Sequence, residues 1–390
     1  MASCFARVDR GLRLDSGFFI LMAVSFVLGA GAGFVMHRSD FCLAGALRDL
    51  FLFRSAARLR PLLLAIVVSM VLFSVARRLG LLLYPFPLLG SPSLANLVGG
   101  FLFGVGMVLA GGCVVGTLYK LGAGSRPALL ALAGMVAGSG LYAEIHPWWS
   151  ALAKRTAFLA GQVTLPQALG ISDAACLLPL VAGFVWLSWR WQRRRLWHLR
   201  AHAEGYLQPW RAALVLAAIG LLSAVTVGMP LGVTTSYAKA AAWMESQLLP
   251  DHVAGLAFYA ARPLDYLSPL GGVRLLGGAG PQFDGIAAVQ VPLIGGIVLG
   301  AGWSAVRLGE WRPAGRLPRR QAVAVVAGGV LMGLASRLAP GCNVWHLLGG
   351  VPILALPSLL FTAALLPGTW VGCRLLLAVV MVEDSTKSTK

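Results

Sequence analysis

The sequence predicts an all-α polytopic membrane protein made of two inverted repeats, with short broken helices and re-entrant cysteine loops. Three observations predict it. With 58% hydrophobic and 12% charged residues and a mean hydropathy of +0.79, the 390-residue chain is too apolar for a soluble domain. Residues 99–113, GGFLFGVGMVLAGGC, align without a gap on residues 328–342, GGVLMGLASRLAPGC, with eight identities, so the chain repeats itself. Its positive charge falls in short loops at the edges of apolar runs, as the positive-inside rule expects of a membrane protein. That rule accounts for the net charge of +18 without a nucleic-acid partner.

Taken in order, apolar spans lie at about 18–36, 61–83, 96–111, 127–143, 172–189, 210–230, 288–306, 321–339 and 351–382. The last is one kinked helix or two, because Pro357 and Pro367 interrupt it. Arg7, Arg10 and Arg13 precede the first span, which has no small-residue cleavage site and is expected to stay as a membrane helix. Arginine clusters at Arg54/Arg58/Arg60, at Arg190 with Arg193–Arg195 and Arg200, and at Arg312/Arg316/Arg319/Arg320 are all assigned to the cytoplasm. This order requires residues 41–53 to return from mid-membrane as a half-helix. Residues 84–94, 144–171 and 231–287 then fall outside. The 231–287 loop reads as a surface loop without chemistry, with an interfacial helix around Tyr237–Leu249.

The organisation expected is an N-terminal membrane repeat over 1–189, a basic cytoplasmic linker over 190–211, and a C-terminal inverted repeat over 212–390. The copies of the repeat beginning near 18 and 321 enter from the cytoplasm, and those near 96 and 291 from outside. Inverted repeats place a substrate site near the midplane, where helices are interrupted.

The repeat delivers a thiol to each interruption. Gly29, Gly33 and Cys42 stand at the offsets of Gly100, Gly104 and Cys113, and of Gly329, Gly333 and Cys342; a fourth copy keeps Gly296 and Gly300 but has Gly309 in place of the cysteine. A helix over 96–111 rises roughly 24 Å, short of the roughly 30 Å hydrocarbon core, so it breaks inside the membrane. Broken backbone at that depth must be buried in protein or line a polar cavity. The glycine pair Gly111–Gly112 and the Pro340–Gly341 step allow the tight turns, and the half-helix starts beyond them attract anions. The GxxxG spacings read as packing faces. Cys42, Cys113 and Cys342 are thus the candidate pathway residues, expected roughly in line.

Charges near the thiols are functional candidates because ionisable groups inside a membrane are costly. Arg38 and Arg337 sit beside the breaks and are candidates to balance an anion. Asn343 and His346 offer donors after Cys342, His346 reading equally as a core histidine. Lys120 and Arg126 read either as solvated half-helix ends or as anion attractors. Cys4, Cys176 and Cys373 lie outside the repeat and read as bystanders. Without a CxxC pair or a Cys/His cluster, neither a structural metal nor a disulfide framework is expected, and no cofactor is implied.

The stretches HRSDFCLAGALRD, GGCVVGTLYKLGAGS and APGCNVWHLLGG resemble the YeeE/YedE family of inner-membrane sulfur transporters over essentially the whole chain, most of all its longer YedE branch. The resemblance implies an hourglass-shaped protein of the bacterial inner membrane. It would take up thiosulfate or a related sulfur anion through the bilayer, with Cys42, Cys113 and Cys342 handing it inward. It also implies a TusA-like cytosolic sulfur carrier as a partner. A neutral thiol donates weakly to the soft sulfur of thiosulfate, whereas a thiolate repels the dianion; a free thiol near its reference pKa of about 8.5 is mostly protonated at neutral pH. Successive weak sites favour passage over trapping. A selenium-compound transporter, a membrane thiol enzyme handing persulfide sulfur to a carrier, and a carrier-docking protein are the competing readings.

Overall fold

A computed structural model describes residues 16–199, 205–311 and 317–379. Cys4, Arg7, Arg10, Arg13, Arg200, Arg312 and Arg316 lie outside the described residues. The first half contains α1 (Ser16–Ser39), α2 (Leu43–Leu52), α3 (Leu59–Arg78), α4 (Leu94–Leu109), α5 (Val114–Gly122), α6 (Arg126–Arg155), α7 (Leu165–Leu169) and α8 (Asp173–Arg193). The second contains α9 (Pro209–Thr226), α10 (Thr234–Ser246), α11 (Pro250–Gly255), α12 (Ala257–Ala260), α13 (Gly285–Arg307), α14 (Arg319–Leu338) and α15 (Leu356–Val379). One antiparallel hairpin, β1 (Leu264–Leu267) with β2 (Arg274–Gly277), interrupts the helices. Among the described residues nine helical segments are long and apolar enough to cross a membrane, so the protein is an all-α polytopic membrane protein. The C-terminal span is one helix, α15, which carries Pro367 in its interior.

Glycine-to-carbonyl contacts hold the core together. A Cβ built on Gly29 or Gly33 of α1 would lie 2.3 or 2.1 Å from the carbonyl oxygens of Leu293 and Ile297 on α13. One on Gly296 or Gly300 would lie 2.2 or 2.1 Å from those of Phe26 and Ala30 on α1. Gly100 and Gly104 of α4 meet Phe361 and Leu365 of α15 in the same way, and Gly329 and Gly333 of α14 meet Ala131 and Met135 of α6. Every GxxxG frame of the repeat is therefore a packing face, as the sequence predicts. Lipid offers no hydrophobic force to drive helices together, so close backbone approach supplies the attraction.

The order of these contacts fixes helix direction. Contacts of α1 with α13, of α4 with α15, and of α14 with α6 advance together along both chains, so each pair is parallel. Contacts of α4 with α14 run in opposite senses, Gly99 meeting Ala339 and Gly106 meeting Gly328, so this pair is antiparallel.

The parallel α1/α13 pair corrects the expected entry of the first span. Gly17 abuts Val273 in the 231–287 segment, whereas Arg38 at the other end of α1 bonds Gly205. The copies near 18 and 291 therefore enter from the same side. The physical reason is packing: Gly29 and Gly33 seat on Leu293 and Ile297, and Gly296 and Gly300 on Phe26 and Ala30, in the same order along both helices. Residues 43–52 do form a short helix, α2, as expected.

Two ends result. At the basic end, Arg60 donates to the Leu196 carbonyl, His37 lies 3.7 Å from Glu310, and the Leu207 amide donates to the Arg38 carbonyl. At the loop end, Ser93 pairs with Ala157, Thr164 with Ala355, and the Leu270 amide donates to Thr226. The 231–287 segment is no bare surface loop. Its α10 buries Tyr237, Ala238 and Lys239 against the bundle instead of lying on an interface, because Lys239 Nζ donates to the Gly280 and Gln282 carbonyls and to Asp284 at 2.6 Å.

Candidate functional site

Each thiol stands where a repeated helix stops. Helix α4 ends at Gly111, whose φ of 72° is a conformation glycine adopts without strain, and Cys113 then caps α5 with its Sγ accepting the Gly116 amide at 3.2 Å. Helix α1 ends at Asp40 and Cys42 precedes α2. Helix α14 ends before Pro340 and Gly341, the latter at φ 128°, and Cys342 follows. All three are buried free thiols: Cys113 is 0% exposed, Cys342 1% and Cys42 6%.

Two of the thiols lie close together. A Cβ on Gly116 would meet Cys42 Sγ at 3.1 Å and Cys113 Sγ at 3.2 Å, so these two sulfurs form a close pair over a bare backbone. Cys342 lies apart. Helix α14 rises about 30 Å over 20 residues, which carries its break toward the loop end, whereas α4 starts at that end and stops after about 24 Å. The descent from the loop end is therefore Cys342 first, then the Cys113/Cys42 pair.

Above Cys342 a cavity of about 450 Å³ opens, lined among others by Tyr142, Thr234, Thr235, Gln290, Arg337 and Gly341. Arg337 is its one permanent charge among the described lining residues, and no carboxylate faces it. Its guanidinium donates to the hydroxyls of Thr234 and Thr235 while Nε has no partner. The Tyr237 hydroxyl, Asn343 Oδ1 and His346 Nε2 are likewise buried and unpaired around this break. Buried polar groups without partners cost free energy unless a ligand or water satisfies them. A hydrated anion entering here would find one cation and several idle hydrogen-bonding groups.

The remaining candidates divide. Lys120 Nζ reaches back 2.6 Å to the Gly111 carbonyl and touches Gly112, closing the α4 break from its exposed side. His346 Nδ1 is 2.8 Å from Ser358 Oγ and the ring stacks on Phe361, so it is anchored at one edge and idle at the other. Asn343 Nδ2 contacts Met107 Sδ at 3.9 Å. Arg38 is drawn away to Ser304 and Gly205 at the basic end, and Arg126 is an exposed first residue of α6. Arg38 stands at the end of α1 before its break, and Arg126 opens α6 after α5. Sequence reasoning missed Tyr237, Thr234 and Thr235, which lie in the segment read as a surface loop. It also passed over Tyr119, whose hydroxyl donates to Asp40 at 3.1 Å. Cys176 packs at the periphery, and Cys373 points at the Arg48 carbonyl.

One polar cluster lies off the route. Glu144, Glu245 and His252 hold their ligand atoms within 4.8 Å of one another, a spacing that could hold a metal ion, and His252 Nε2 is 2.7 Å from Glu144. The hydrogen bond to Glu144, and then its charge, push the His252 pKa above its ordinary value. A raised pKa means the tie of α11 to α6 is complete below the ordinary value of about 6.5 and lost as pH rises through the raised one. Amide exchange across 250–256, corrected for intrinsic chemistry, is expected to be slower at pH 6 than at pH 9. His252→Gln should erase that difference; equal protection at both pH values in the wild type would show the tie to be inert.

A membrane-crossing bundle with three buried thiols at helix breaks, set behind a cavity with a single cation, is built as a transport protein for a small anion. The chain belongs to the family described as Sulphur transport, whose model matches residues 38–371. It is 31% identical over 354 residues to a thiosulfate transporter, TsuA, of Spirochaeta thermophila, covering 87% of this chain and 94% of that one. A TsuA of Escherichia coli is 39% identical over 117 residues, 29% of this chain and 32% of its own length. A probable transporter, YedE, of Salmonella typhimurium is 29% identical over 132 residues, 34% of this chain and 27% of its own. The family resemblance read from the three cysteine stretches is borne out, and so is the expectation of sulfur transport; the match over most of the chain is to a TsuA, whereas that to YedE covers about a third of it.

Proposed function

We propose that this protein takes up thiosulfate across a bacterial inner membrane, passing the dianion from the Arg337 cavity to Cys342 and on to the Cys113/Cys42 pair. The observation that carries this reading is the set of idle buried groups between the one cavity cation and the first thiol: Arg337 Nε, Tyr237, Asn343 and His346. The names of the TsuA relatives support thiosulfate as the anion. In this reading the loop end faces outside and the basic end the cytoplasm, consistent with the positive-inside rule. The antiparallel α4/α14 pair is the part of the packing that supports an inverted relation between halves, with the basic linker between them, and the two opposed cavities of an hourglass follow from it. A TusA-like carrier would receive the sulfur at the basic end. Passage is non-covalent, a neutral S–H donating to the terminal sulfur at each station.

The test is uptake of radiolabelled thiosulfate into cells lacking their own sulfur-anion transporters, with unlabelled selenite as competitor. Saturable uptake that selenite fails to displace is the expected result; absent uptake at normal membrane expression would remove thiosulfate as the substrate. Arg337→Gln is expected to raise KM roughly tenfold, about 1.4 kcal/mol of lost charge pairing, with a smaller change in maximal rate. An unchanged KM would take Arg337 off the entry route.

A further inference from the structure

We propose that Arg58 is the gating residue at the inner end of the route, a guanidinium locked by two carboxylates beside the Cys42 thiol that releases one of them to receive the anion. The inference deepens the transport reading and rests on it. Arg58 Nη2 lies 2.8 Å from Asp40 Oδ2 and Nη1 lies 3.4 Å from Asp49 Oδ2. A Cβ built on Gly45 would lie 3.5 Å from Arg58 Nη1, 3.5 Å from Cys42 Cβ and 3.9 Å from Cys42 Sγ. Cation and thiol therefore face each other across a residue with no side chain to part them.

The same carboxylate joins three elements at this point. Asp40 stands at the end of α1 with φ 47°, a backbone conformation that costs most residues free energy but that aspartate and asparagine tolerate. Its Oδ1 accepts the Tyr119 hydroxyl at 3.1 Å, so α5, which follows Cys113, is tied through Asp40 to Arg58 at the start of α3. Asp49 is held in turn by Arg48 at 2.9 Å. Two arginines and two aspartates make a network with no net charge. Asp40 is 47% exposed on its side chain and Arg58 29%, so the network is the partition between the buried Cys42 and the basic face.

Such a partition works by exchange. In the closed state the neutral cluster offers a dianion no net attraction. An anion that has reached Cys42 is within range of a guanidinium whose planar fork suits two oxygens, and it competes with Asp40 for the same donors. Once it wins, its negative charge repels the displaced carboxylate. Asp40 then leaves Tyr119 and Arg58 together, and the way to the basic face opens.

The test reads the gate without needing transport. Inside-out and right-side-out vesicles carrying the full-length protein are exposed to a membrane-impermeant maleimide, and alkylation of Cys42 is followed by site-resolved mass spectrometry. Asp40→Asn keeps the shape and the tolerance for positive φ but removes the charge. It is expected to speed labelling of Cys42 at least tenfold from the basic face and not from the other. Labelling at the wild-type rate in a normally assembled Asp40→Asn protein would overturn the proposal. Arg58→Lys keeps the charge but loses the fork, and should slow thiosulfate uptake at least tenfold while Cys42 stays protected. Wild-type uptake by Arg58→Lys would also overturn it, and this variant decides the matter if Asp40→Asn does not assemble. Because labelling uses no thiosulfate, a responsive gate in a protein that fails to carry thiosulfate would fault the substrate and not the gate.

Discussion

Replacing Cys113 with serine is expected to abolish thiosulfate uptake, by at least a hundredfold in initial rate at matched membrane expression, while leaving the protein folded. Serine is the informative substitution because Cys113 caps a helix as well as standing on the proposed route. Its Sγ caps α5 by accepting the Gly116 amide, a role a hydroxyl performs well, and losing a cap to alanine costs about 1 kcal/mol of stability. Alanine would therefore weaken the fold and the route together. Serine keeps the cap and the volume and removes only the soft, weakly donating sulfur. A hydroxyl in its place holds its hydrogen bonds to the half-helix more tightly and matches the terminal sulfur of thiosulfate less well. A hundredfold loss corresponds to about 2.7 kcal/mol, which is within reach of one station on a route of several. Cys113 lies fully buried beside Cys42 with Gly116 against both, so an anion handed along the proposed thiol route would have to meet it. Uptake within threefold of wild type in Cys113→Ser would mean that the repeated thiols are packing residues and that the anion takes another path.

Much of this architecture is legible in the sequence because membrane packing leaves a local signature. The frames Gly29/Gly33, Gly100/Gly104, Gly296/Gly300 and Gly329/Gly333 are visible as spacings, and each proves to be a face where a neighbouring carbonyl occupies the place of a Cβ. The three cysteines are legible for the same reason, since they share the frame. What the frame does not encode is direction. The first span was expected to enter from the cytoplasm, opposite to the copy near 291, yet α1 runs parallel to α13. Arginines were equally ambiguous. Arg38, beside a thiol in sequence, is drawn off to Ser304, whereas Arg58, sixteen residues beyond Cys42 and read as a marker of topology, folds back against it through Gly45. Tyr237 and Thr234 escaped notice because a polar segment outside the membrane carries no periodicity to say which of its residues turn inward. Only the tertiary contacts of α10 with α6, α13 and α14 decide that.

Gly296→Leu is expected to prevent accumulation of the folded protein, whereas Gly295→Leu, one residue earlier on the same helix, should behave as wild type. The contrast follows from what each side chain would meet. At Gly296 a Cβ would fall 2.2 Å from the Phe26 carbonyl oxygen and 2.8 Å from the Ala30 amide nitrogen, both backbone atoms of α1 that no rotamer change can move. At Gly295 nothing lies within 4 Å. Overpacking a well-filled core costs up to about 3 kcal/mol even when side chains can shift, and here the helices themselves must part. Parting them undoes more than one contact, because Gly29, Gly33 and Gly300 reach the same backbone-to-backbone distance along the seam and gain their attraction only at that distance. The displacement would also reach the site. His37 and Arg38 are tied to Ser304 at the end of this seam, and Asp40 and Cys42 follow directly. Thermal melting and size-exclusion profiles of the two detergent-purified variants decide the point. If Gly296→Leu melts within about 2 °C of Gly295→Leu, the α1/α13 seam is not the close parallel contact on which the position of Cys42 depends.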